Sequence, residues 1–121
     1  MKDDISRLLG SLGLAARARK LTYGTELTVE AAERNLLSLV ILSNEASQNT
    51  LKKVKRSCEE NGIPLYTVDI ESEKLALATG KKRPIMTIGV MDKNFTDLIR
   101  KNITDSAVTT AFTQTYSESE V

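Results

Sequence analysis

Apolar residues at Ile5, Leu8, Leu9 and Leu12 recur at the spacing of one helix face, with Asp3 and Asp4 ahead of them, so a first helix is expected from about residue 4 to 12. Gly10 and Gly13 weaken that pattern and predict a break. Beyond them, Leu14–Lys20 reads as a further helical turn or two, small residues inward and bases outward. Leu21–Tyr23 predicts a short strand, Gly24 a turn, and Thr25 to about Asn35 a helix. This helix presents Leu27, Ala31 and Arg34 on one side and Val29 and Ala32 on another.

Leu36–Leu42 is a near-continuous apolar run of strand length, the pattern of a central strand covered on both faces. After a loop at Ser43–Ser47, Ser47 or Asn49 can cap a helix whose stripe is Leu51, Val54 and Cys58, with Lys52, Lys53, Lys55 and Arg56 outside it. Cys58 therefore reads as a small core residue. Asn61-Gly62 ends that helix, and Ile63–Val68 is a third strand with Pro64 at its start. Ser72–Ala78 is a short helix stopped by Gly80, Ile85–Val90 a fourth strand, and Asn94–Lys101 a last helix with Phe95, Leu98 and Ile99 inward. Alternating strands and helices imply a single-domain three-layer α/β/α sandwich with a mixed four-stranded sheet over residues 1–101. Residues 102–121 are rich in Thr and Ser and read as a mobile tail, in which Ala107–Tyr116 could form a strand or helix against the body or a partner. No internal repeat is found.

Composition narrows the function. A chain of 121 residues, 40% of them hydrophobic, can bury one core without staples. No apolar run reaches the length of a membrane span, and Met1–Asp4 is too acidic for a signal peptide, so a cytoplasmic protein with no membrane partner is expected. With one cysteine and no histidine, disulfides, the common zinc sites and histidine-dependent triads are excluded. A protein that is not an enzyme, with no cofactor and no metal, is the expectation.

The net charge of +1 conceals an uneven distribution. Residues 102–121 contain no base and three acids, Asp105, Glu118 and Glu120; taking these from the sixteen acids leaves 13 against 17 bases, a balance of +4 for residues 1–101. Ten of the bases cluster in three groups: Arg17, Arg19 and Lys20; Lys52, Lys53, Lys55 and Arg56; and Lys81, Lys82 and Arg83. They could form one positive face toward nucleic acid or separate solvated surfaces.

Motif chemistry is mostly negative. Gly80-Lys81 suggests a phosphate loop, but Leu75 stands where its first glycine belongs and Lys82 where Ser or Thr must follow the lysine. Gly10-Ser11-Leu12-Gly13 lacks the third glycine and preceding strand of a dinucleotide fingerprint. The acidic pairs Asp3/Asp4, Glu59/Glu60 and Glu71/Glu73 do not converge as acid and base. What stands out is the strand–glycine–helix succession Lys20–Ala32. Gly24 permits a tight turn, Thr25 can accept from an orphan amide, and the helix start can hold an anion such as a phosphate. The plain alternative is a capped helix that binds nothing. An aromatic content of 4% disfavours a single-strand stacking platform but is compatible with structured RNA read by shape and backbone.

Gly13–Lys20, Gly24-Thr25-Glu26, Leu39–Leu42 followed by Ala46–Lys53, Gly62-Ile63-Pro64 and Leu75–Lys81 occur in an order that resembles the L7Ae/L30e ribosomal-protein superfamily, and most closely its small bacterial YlxQ-like branch. The resemblance covers roughly residues 5–101. It implies a compact α/β/α domain that binds kink-turn or related internal-loop RNA, ribosomal RNA among the candidates, as a monomer. It further implies that Gly24, Thr25, Glu26 and Leu27 with Glu30 meet the bent RNA, that the loop Gly80–Pro84, with Lys81, Lys82, Arg83 and Pro84, covers extruded bases, and that Lys20 adds charge before the turn. Archetypal kink-turn binders carry Asn-Glu after Gly-Thr and a Lys three residues beyond that Glu, where this chain has Glu26, Leu27 and Glu30. A carboxylate can accept from a guanine edge but repels phosphate, so anchoring charge must come from Lys20 and Lys81–Arg83. The alternative is a protein-interaction module on the same fold, its RNA contact weakened or lost.

Overall fold

A computed structural model describes residues 2–104 and 109–113. Helix α1 (Lys2–Arg17) is followed by β1 (Leu21–Tyr23), α2 (Thr25–Glu33), β2 (Leu39–Ser43), α3 (Gln48–Asn61), β3 (Leu65–Val68), α4 (Ser72–Ala78), β4 (Thr87–Val90), α5 (Lys93–Thr104) and β5 (Thr109–Thr113). The four expected strands form a mixed sheet in the order β1-β4-β2-β3, with β4 antiparallel to both β1 and β2 and β2 parallel to β3. A fifth strand extends it: β5 lies antiparallel to β3, with Tyr66 opposite Phe112. Of the segment expected as a tail, residues 102–104 form the last turn of α5 and residues 109–113 form β5; its other residues lie outside the described ones.

The central strands β2 and β3 serve two cores because successive side chains point to opposite faces. In β2, Leu39 and Ile41 face α1, α4 and α5, where Leu8, Leu12, Ala15, Leu75 and Ile99 are buried. Val40 and Leu42 face α2 and α3, against Ala31, Ala32, Val54 and Cys58. All five β2 residues are buried, as the continuous apolar run required. Among the described residues no helix is long and apolar enough to cross a membrane.

Four local expectations are corrected. α1 does not break at its glycines. Gly13 sits where the helix crosses α4, and a Cβ there would come within 3.0 Å of the Ala78 carbonyl oxygen, so the glycine permits a close helix approach rather than ending the helix. The side expected to carry Leu27 and Ala31 is not buried as a unit: Ala31 is buried but Leu27 is exposed, and Thr28 takes the buried place at the head of α2, its hydroxyl bonded to that of Thr22 at 2.9 Å. α2 also stops at Glu33, its end carried by Arg34 and by Asn35 at φ 58°. Leu98 is partly exposed, whereas Ile99 and Ile103 enter the core.

The caps follow the sequence. Ser47 accepts from the Thr50 amide at 3.1 Å at the start of α3. Gly62 closes α3 in the left-handed region, φ 66°, with the Ile63 amide donating back to the Cys58 carbonyl at 2.9 Å. Glu45 does at α4 what no neighbour in that helix does: its carboxylate accepts from the Ser72 amide at 2.9 Å and the Ser72 hydroxyl at 2.6 Å, and these bonds hold its pKa below the usual carboxylate value.

Candidate nucleic-acid interface

The turn between β1 and α2 is built from Gly24. Its φ of 92° and ψ of 154° lie where only glycine sits without strain, and its amide donates to the Thr87 carbonyl of β4 at 2.9 Å. The Gly24 carbonyl accepts the first bond of α2, from the Thr28 amide at 3.1 Å. Gly24 itself is the N-cap, and no side chain caps the helix start. The expectation that Thr25 caps an amide is corrected: its hydroxyl lies 2.9 Å from the Thr87 hydroxyl and ties the turn to β4. Among the described residues, the amides of Thr25, Glu26 and Leu27 have no acceptor. They form the positive end of α2.

The loop after α4 is equally well defined. Gly80, φ 78°, donates to the Leu77 carbonyl at 3.2 Å, and the Lys81 amide reaches the Ala76 carbonyl at 2.8 Å, the paired bonds of a Schellman ending. The chain is then turned outward as Lys81-Lys82-Arg83-Pro84, all exposed, and is pinned again where the Ile85 amide donates to the Ser72 carbonyl at 3.1 Å.

These two segments, 57 positions apart in sequence if counted from Gly24 to Lys81, line one groove of about 460 Å³. Tyr23, Gly24 and Thr25 line it with Lys81, Lys82, Arg83 and Pro84, and Ile85 and Met86 complete the lining. Lys81 Nζ stands 4.2 Å from the centre of the Tyr23 ring, a cation–π contact that ties the loop to the turn. Burial pushes the Tyr23 hydroxyl pKa up, so the ring is neutral at physiological pH. The groove thus combines an apolar surface, three cationic side chains and a helix start with free amides. That set suits a planar apolar group carrying a negative charge.

Not every expected residue reaches it. Lys20 lies at the opposite end of β1, beside Met91, whose amide it accepts at 2.8 Å; four strand steps put it on the order of 13 Å from Gly24. Glu26 leans toward α3, its carboxylate 3.8 Å from Lys53 Nζ and its side chain almost wholly exposed. Leu27 and Glu30 are exposed on the outer face of α2. Tyr23, Ile85 and Met86 were missed; an aromatic residue immediately before the turning glycine was the available signal for the first, and nothing in the linear pattern marked the other two. Among the described residues, no group of three or more Cys, Asp or Glu stands close enough to hold a metal ion.

A five-stranded mixed sheet between two helical layers, with this groove at the β1–α2 turn, defines a class, and the sequence fits a family model over residues 6–99: the chain belongs to the ribosomal protein L7Ae/L30e/S12e/Gadd45 family. It is 34% identical to a protein of Enterococcus faecium named RNA-binding protein YlxQ over 89 residues, 74% of this chain and 84% of that one. The Bacillus subtilis protein of the same name is 34% identical over 84 residues, covering 69% and 82%. A solved structure of a protein of unknown function from Bacillus halodurans superposes with a TM-score of 0.76 at 38% identity, over 81% of this chain and 97% of that one. The Giardia lamblia 15.5kD RNA binding protein shares the fold, with a TM-score of 0.69 at 16% identity over 85% and 87%.

Proposed function

We propose that this protein is a cytoplasmic, monomeric, non-enzymatic RNA-binding protein that recognises kink-turn or related internal-loop RNA. The observation that carries the reading is the single groove shared by the Gly24-Thr25 turn and the Lys81–Pro84 loop. The names of the curated relatives support the RNA class. Phosphate sits against the free amides at the start of α2 and the charges of Lys81, Lys82 and Arg83, and an unstacked base lies against Tyr23 and Met86. Ribosomal RNA is among the candidate targets. Glu26 and Glu30 contribute no phosphate affinity; Glu26 can accept from a guanine N1/N2 edge if it turns away from Lys53.

Gel-shift titration of a kink-turn RNA against a straight duplex tests this. Replacing Lys81, Lys82 and Arg83 together by Glu is expected to abolish kink-turn binding. Unchanged affinity in that variant removes the assigned face, and equal affinity for the two RNAs with a steep salt slope reduces the activity to generic phosphate contact. A protein-interaction role draws support from Leu27, 60% exposed between Glu26 and Glu30 on α2. Cytoplasmic partners that survive ribonuclease treatment in a pull-down, with no RNA shift, favour that reading.

A further inference from the structure

A second and larger groove, about 710 Å³, runs between α1 and α4. Ile5, Leu9 and Leu14 from α1 line it with Leu77 and Ala78 from α4. Leu77 is 80% exposed and Leu14 is 50% exposed, although each is an apolar side chain in the middle of a regular helix or its last turns. At Gly10 and Gly13 the α1 wall has no side chain, which deepens the cleft between its apolar residues. Among the described residues, the only charged side chains in the lining are Arg17 and Lys74, both positive, and neither has an ion-pair partner there.

We propose that this groove seats an amphipathic helix of another protein, apolar along one side and flanked by carboxylates. Two helices with small residues between them present a groove into which a third helix lays anchors at i, i+3, i+4 and i+7, and the described lining is helical throughout, with no strand edge for an extended peptide. The charge at the rim selects the flanks: a partner with Asp or Glu beside its apolar stripe meets Arg17 and Lys74, and one with Lys or Arg meets like charge. A single-stranded nucleic acid is poorly served, since among the described residues no aromatic side chain lines the groove to stack a base. The inference does not depend on the RNA reading, although Leu77 stands only three positions before Gly80, so a helix docked there would border the basic loop.

A displayed library of helix-forming peptides with randomised faces, selected on the full chain, tests it. The expected consensus is an apolar helical stripe with acidic flanks, and a synthetic peptide of that sequence should saturate in fluorescence anisotropy. Leu77→Glu should weaken it at least about tenfold at unchanged Tm, because Leu77 makes little of the core. Arg17→Glu with Lys74→Glu should move the preference to basic flanks. Neutral or basic flanks in the original selection, binders indifferent to Leu77→Glu, or no saturable binder overturns the proposal. Self-association in sedimentation that Leu77→Glu abolishes, without any selected peptide, also overturns it, in favour of a second copy of this chain as occupant.

Discussion

Gly89 lies in a central strand, where a glycine ordinarily weakens the sheet. A Cβ there would run into Thr22 Oγ1 and come within 2.8 Å of Leu37 Cδ1. Thr22 is held in place by its bond to Thr28, so it cannot give way cheaply. Gly89→Ala is expected to destabilise by about 1–3 kcal/mol, read as a lower midpoint in urea denaturation. Cys58 behaves as a buried hydrophobe: burial, with the Glu59 carboxylate adding to it, pushes its thiol from 9.0 to about 12. From about pH 9 upward the unfolded chain gives up this proton while the folded chain keeps it. Cys58 therefore costs no stability below pH 9 and progressively more as pH rises toward 12. Cys58→Ala should flatten that alkaline decline, and the native thiol should be inert to a disulfide reagent until denaturant is added. Glu45 has the opposite sign. Its lowered pKa contributes stability above the ordinary carboxylate value and loses it as pH falls through the lowered one, so Glu45→Gln should shrink the acid-side dependence of Tm.

Among the elements, α1 offers the sharpest contrast because its two glycines have different surroundings. Gly10 has nothing within 4 Å of where a Cβ would stand, and Gly13 has the Ala78 carbonyl at 3.0 Å. Gly10→Ala is expected to stabilise the protein by about 0.5–1 kcal/mol through helix propensity alone. Gly13→Ala must push α4 aside and should be the less stable of the pair, a difference readable in thermal melts. From sequence, both glycines predicted a break, because propensity is a local property and the packing that overrides it is not. The capping of α3 was legible for the reverse reason: Ser47 and Gly62 act within their own turns. Removing the Ser47 hydroxyl with Ser47→Ala should cost about 1 kcal/mol. Glu45, which caps α4 from 27 positions away, could not have been read from any local window.

At the scale of the molecule, the sheet order β1-β4-β2-β3-β5 is what brings the two halves of the candidate groove together. Because β4 pairs with β1, the loop that leads into β4 arrives beside the turn that leaves β1, and Lys81 comes to rest over Tyr23. The three basic groups do not merge as one lining: Lys81–Arg83 line the groove at the β1–α2 turn, Lys52, Lys53 and Arg56 line a separate cleft with α2, and Lys20 stands at the far end of β1. Charge reversal at Lys52 and Lys55 should therefore lower the affinity for kink-turn RNA much less than reversal at Lys81 and Lys82, and should reduce the salt slope less, in parallel titrations.

Periodicity and turn chemistry by themselves determined the order of elements from α1 to α5, the two-sided burial of Leu39–Leu42, the glycine turns at Gly24, Gly62 and Gly80 and the identity of the basic loop, since each depends on residues within a few positions of one another. Tertiary structure alone decided the rest. It made α1 continuous by setting Gly13 against α4, turned Thr25 from a cap into a tie to Thr87, and sent Glu26 toward Lys53. It also joined Tyr23 and Met86 to the basic loop and left Lys20 outside. Each of these outcomes turns on which elements lie beside which, and that is long-range packing that no local pattern encodes.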